Sequence, residues 1–156
     1  MHDKPAKAIL VGGLIGGAFD ITFACTYATA RGGSAYKVLQ FVASGLLGKG
    51  SFDDGPASAV LGLVLHFVIA IGAATVFYLA SRKIAFMTRQ PLIAGPLFGA
   101  CVYLAMNFVV GPLSAAPPFK HSLLGVTLDL SVHMFLLGMS IALAMRRWAP
   151  ISSSRT

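Results

Sequence analysis

Four long apolar stretches, at residues 8–30, 57–80, 91–111 and 122–146, alternate with shorter polar ones along the chain. A helix needs roughly 20 predominantly apolar residues to cross a bilayer, so each stretch is predicted to be a transmembrane helix. The polar positions inside them are few and patterned. In the first, Gly12/Gly16 and Gly13/Gly17 form two overlapping small-xxx-small pairs, and Asp20 lies about 40° round from Gly16 on the helical wheel. In the second, His66 shares a face with Gly62, Ala70 and Ala73. Gly95, Gly99, Tyr103 and Asn107 run through the third. The fourth carries Asp129 and His133, whose spacing of four puts both on one face with Ser122, Gly125 and Ser140. Lipid cannot satisfy such faces, so all of them are predicted to turn into the bundle.

The segment between the first two spans is too polar and too broken to cross. Within it, residues 35–47 have helical periodicity, with Leu39, Val42, Ala43 and Leu46 opposite Lys37, Gln40 and Ser44. A helix lying at the external membrane surface is expected there, ended by Gly45, Gly48 and Gly50. Asp53-Asp54-Gly55-Pro56 reads as a helix start with Asp54 or Gly55 as the cap. Pro91 opens the third span, and Ser122 is the expected cap of the fourth. The string Gly48-Lys49-Gly50-Ser51 is not a phosphate loop, because Ala43 stands where the first glycine is required and Gly50 separates Lys from Ser. Ala28-Thr29-Ala30 imitates a secretory cleavage site, but the preceding run is long and contains Asp20, so the span is expected to be retained.

Composition agrees with this class: 56% of the 156 residues are hydrophobic and 11% charged, with a mean hydropathy of +0.80. A soluble core of this size could not hide that much apolar surface. The fold class is all-α: a polytopic integral membrane protein, one domain of four transmembrane helices plus an external interfacial helix. The net charge of +7 comes from cations placed beside the spans. They orient the chain and leave no basic patch for nucleic acid. Lys4, Lys7, Arg82, Lys83, Arg89, Arg146, Arg147 and Arg155 fall on one side; Arg31, Lys37, Lys49 and Lys120 fall on the other. The richer side is expected to be cytoplasmic, with both termini there. Residues 152–156 read as a disordered tail. Cys25 and Cys101 have no metal-site spacing and read as small packing residues.

Depth along each span supplies an independent argument about the polar residues. Asp20, His66 and His133 fall within roughly 5 Å of the bilayer midplane, and Asn107 and Asp129 roughly 8 Å from it. Asp20, His66, Asn107, Asp129 and His133 are therefore the candidate site, a shared intramembrane polar layer. Three uses fit it: hydrogen-bonded pairs that fix helix register, a path or pocket for protons, a cation or a small solute, or a metal or haem centre with His66 and His133 as ligands. A proton, ion or solute function stands first. A structural component supporting a partner is the alternative, and a haem b or metal-binding redox protein the second alternative. No nucleophile elbow, HExxH motif or paired catalytic carboxylates are recognisable, so an enzyme is not expected. No cofactor is expected ahead of that haem alternative. The partners expected are the lipid bilayer and a second copy of the chain through the glycine faces of the first and third spans.

From about Leu65 onward, His66-Phe67, Gly95 and Gly99, Pro112-Leu113, Pro117-Pro118-Phe119, Asp129 with His133, and Arg146-Arg147 form a series of spaced features. In these the chain resembles the YagU family of bacterial inner membrane proteins. The resemblance covers the last three spans and implies a multi-span protein of the bacterial inner membrane, of uncharacterised activity.

Overall fold

A computed structural model describes residues 4–118 and 122–149. The cations Lys120 and Arg155, the motif residue Phe119 and the tail at 152–156 lie outside the described residues. Six helices follow one another: α1 (Pro5–Ala30), α2 (Ala35–Leu47), α3 (Gly55–Ser81), α4 (Phe86–Arg89), α5 (Pro91–Leu113) and α6 (Leu123–Trp148). Among the described residues α1, α3, α5 and α6 are the helices long and apolar enough to cross a membrane. The protein is an all-α membrane-spanning bundle. Pro56, Pro91 and Ser122 act at their helix starts as expected, Asp54 stands at the start of α3 without a side-chain cap bond, and α1 starts at Pro5, before the expected Ala8. Proline occupies the first turn of α1, α3 and α5, where a missing N–H costs no helical bond. The Ser122 hydroxyl accepts from the Gly125 N–H at 3.1 Å to cap α6.

Glycine determines how the spans meet. The two overlapping pairs in α1 serve two different neighbours: a Cβ on Gly12 or Gly16 would press on Ile141 and Leu137 of α6, and one on Gly13 or Gly17 on Ile71 and Ala70 of α3. Gly95 and Gly99 of α5 meet the α6 backbone at Gly138 and His133 in the same way. Without a hydrophobic driving force between helices in lipid, such close backbone approach supplies the packing that holds them. These glycines were the ground for expecting contact with a second copy, and the structure uses all six within one chain. The remaining edge, between α3 and α5, is bridged by Phe77 against Phe98 with ring centroids 5.0 Å apart. A core of Ala74, Phe77, Ala94, Ile141 and Met145 fills the end of the bundle away from α2.

Both α5 and α6 contain a π turn that periodicity alone does not announce, at Met106–Val110 and His133–Gly138. The second coincides with the glycine contacts of α5. Widening one turn to i→i+5 bonding lets the α6 backbone bulge into the space that Gly95 and Gly99 leave open.

Helix α2 differs from expectation in the side it turns inward. Gln40, Ala43 and Ser44 are buried, while Tyr36, Leu46 and Leu47 are exposed. The polar side was expected to face water. Instead, the Gln40 side-chain amide donates to the Ser51 carbonyl at 3.0 Å and the Ser58 hydroxyl at 3.1 Å. The Ser51 hydroxyl donates to the Gln40 carbonyl at 2.9 Å. This knot pins α2 and the 3-10 turn Gly48–Phe52 to the start of α3. Gly48, at φ 65°, makes the reversal that begins that turn. Cys101 also departs from its expected packing role, being exposed on α5.

Candidate functional site

The site is where the two glycine seams of α1 end. Moving up α1 by one turn while moving down α6 by one turn carries the contact from Gly12–Ile141 to Gly16–Leu137, and the next step pairs Asp20 with His133. The other seam runs from Gly13–Ile71 to Gly17–Phe67, and His66 and Asp20 meet beside its end. One carboxylate therefore faces an imidazole on each side. Asp20 Oδ1 lies 3.4 Å from His133 Nδ1, and Asp20 Oδ2 lies 4.0 Å from His66 Nε2. Asp129, one turn before His133 on α6, places its Oδ1 3.2 Å from the same Nδ1.

Hydrogen bonding assigns one proton on each ring. His66 Nε2 sits 2.8 Å from the Gly17 carbonyl, which can only accept, so Nε2 carries the hydrogen. His133 Nδ1 sits 3.0 Å from the Asp129 carbonyl as well as beside the two carboxylates. All three neighbours are acceptors, so Nδ1 also carries a hydrogen, which is contested between three oxygens. Side-chain exposure falls from 30% at Asp129 to 16% at Asp20 and 11% at His133. Of the three, Asp129 is the most exposed and His133 the most enclosed.

Four of the five expected residues come together here. Asn107 does not join them: its side-chain amide donates to the Tyr103 carbonyl at 2.9 Å, one turn back on its own helix. The reason is local. The π turn begins at Met106, so a regular helical wheel assigns Asn107 the wrong direction.

Comparison with family models, curated proteins and solved structures finds no match for this chain. The chemistry of the site therefore has to be read from its own geometry. Asp20, Asp129 and His133 offer ligand atoms that all lie within 4.8 Å of one another, a nitrogen and oxygen set of a kind that divalent metals accept. The pair expected as metal or haem ligands was His66 with His133. In the structure the Asp20 carboxylate stands between those two rings.

Two further residues complete the site; the sequence placed both on the inward stripe of the third span but not among the five site candidates. Tyr103, 5% exposed, sets its ring at 78° to the His133 imidazole with centroids 5.5 Å apart. Gly99 lies against the His133 carbonyl so closely that no Cβ fits. The sequence signal for both was their place on the stripe of Gly95, Gly99 and Tyr103, one residue type leading to the next at helical spacing. Together they make α5 the wall that holds the His133 turn in position.

Proposed function

We propose that this chain is a multi-pass, YagU-like protein of the bacterial inner membrane, with both termini cytoplasmic. In this reading Asp20, His66, Asp129 and His133 form a proton-binding centre that serves proton passage or proton-linked movement of a small solute. The observation that carries the proposal is the one nitrogen, His133 Nδ1, facing Asp20 and Asp129 at 3.4 and 3.2 Å. One hydrogen cannot satisfy two carboxylates, and an unbalanced charge is costly at this depth in a bilayer. Uptake of a further proton on either acid, or on the free nitrogen of His133, relieves the imbalance. The centre accordingly exists in two states of different charge, a requirement for moving protons. Asp129, the most exposed member, is the entry group; His133 passes the proton between Asp129 and Asp20; His66 is the inner limit.

The test is proton uptake into liposomes under an imposed potential, run beside thermal melts in detergent. Wild-type protein is expected to raise the flux above that of empty liposomes. Asp20→Asn and His133→Gln are each expected to lower it at least tenfold, with melting temperature within a few degrees of wild type. Wild-type flux equal to that of empty liposomes overturns the proposal. If the same substitutions then lower the melting temperature sharply, the residues act as register-fixing pairs in a structural component.

A further inference from the structure

At the opposite end of the bundle from α2, a groove of about 330 Å³ runs between α1 and α6. Its walls are apolar, with Val11 and Ile15 on one side and Leu143 and Ala144 on the other. These residues are stripes at helical spacing. Continued by one turn, each stripe ends in a cation, Lys7 on α1 and Arg147 on α6. The Lys7 ammonium lies 5.0 Å from the centre of the Trp148 ring and the Arg147 guanidinium 5.9 Å from it. The Lys4 N–H donates to the Trp148 carbonyl at 2.7 Å, tying the start of α1 to the end of α6 at the mouth of the groove.

Both cations lack an acidic partner among the described residues, where every ion pair belongs to the Asp/His cluster. Both are exposed. An apolar channel closed by two cations and an indole has the polarity of an amphiphile with an anionic head. From Lys7 to Ile15 is eight residues, or about 12 Å of helix, which is most of the roughly 15 Å depth of one leaflet's hydrocarbon. We propose that this groove is a binding site for one anionic glycerophospholipid. Its phosphate sits between Lys7 and Arg147, and one acyl chain lies along Val11, Ile15 and Leu143. Basic pockets between transmembrane helices hold acidic headgroups by this combination of charge and apolar contact.

Trp148 is the single tryptophan of the chain, so its fluorescence reports on this site alone. The full chain is reconstituted in bilayers containing brominated phosphatidylglycerol or brominated phosphatidylcholine of the same chain length. Half-maximal quenching is expected at about tenfold lower mole fraction of the anionic lipid, given two cations near its headgroup. In the Lys7→Gln/Arg147→Gln double variant the two curves should coincide. For wild type the preference should also shrink in about 1 M salt, where the screening length is only about 3 Å. Equal quenching by the two lipids in wild type, a preference that survives the double substitution, or one indifferent to salt overturns the proposal. The proton assay does not bear on it, since the groove shares no residue with the Asp/His cluster.

Discussion

At the scale of single residues, the difference between glycines that pack and one that does not is directly testable. A Cβ on Gly99 collides with the His133 carbonyl, whereas one on Gly72 meets nothing within 4 Å. Gly99→Ala is expected to cost more than about 2 kcal/mol, at the level of a strongly overpacked site. Gly72→Ala should be neutral or stabilising by up to about 1 kcal/mol through helix propensity. Denaturation in mixed micelles checks both, and equal effects would show that α5 and α6 are not in backbone contact. The sequence exposed the special character of Gly99 through its spacing from Gly95. That its partner is the carbonyl of a site histidine was not legible, because wheel geometry gives a face and not the atom opposite it.

At the scale of elements, α2 shows how a correct periodicity can lead to the wrong side. Its buried face takes Gln40 and Ser44 from the polar set together with Ala43 from the apolar one, while Lys37 and Leu46 are exposed. Helix periodicity measures separation, and a buried polar knot separates residues just as water does. The knot predicts a specific failure. Gln40→Leu removes the amide bonds to the Ser51 carbonyl and Ser58 hydroxyl, and should cost about 0.5–1.5 kcal/mol per bond lost, because the Ser58 hydroxyl still donates to the Ser51 carbonyl. Hydrogen exchange should quicken in α2 and in the first turn of α3, leaving α1 and α6 unchanged. Uniform quickening across the bundle would mean that α2 is not a separately pinned unit. The π turn in α6 is a second property of elements: it became intelligible only once Gly95 and Gly99 were seen packed against it.

At the scale of the whole molecule, the bundle has two chemically distinct ends. The described cations beside the bundle end away from α2 are Lys4, Lys7, Arg82, Lys83, Arg89, Arg146 and Arg147, and Asp129, the most exposed member of the Asp/His cluster, lies one turn nearer the other end than His133. The charge asymmetry predicts cytoplasmic placement of the cation-rich end. A reporter active only in the periplasm should give signal when fused after Lys49 and none when fused after Arg89. The reverse pattern would place Asp129 towards the cytoplasm and invert the direction of proton entry. The proposed lipid site depends on the same asymmetry, because it gathers cations from the first and last spans at one end.

The amino-acid sequence by itself determined that the chain has four helices long and apolar enough to span a membrane, and that Asp20, His66, Asp129 and His133 sit on interior faces. These properties are local: bilayer thickness sets the length of an apolar run, a missing N–H directs proline to the first turn, and helical spacing puts Asp129 beside His133. Tertiary structure alone decided which neighbour each glycine pair meets, that one Asp20 carboxylate reaches imidazoles on two helices, that Asn107 turns back on its own helix, and that Gln40 faces inward. Those outcomes depend on the rotation and register of one helix against another. Register is a property of two surfaces fitting together, set here by backbone contacts at Gly13, Gly62, Gly99 and Gly138, and no single helix carries it.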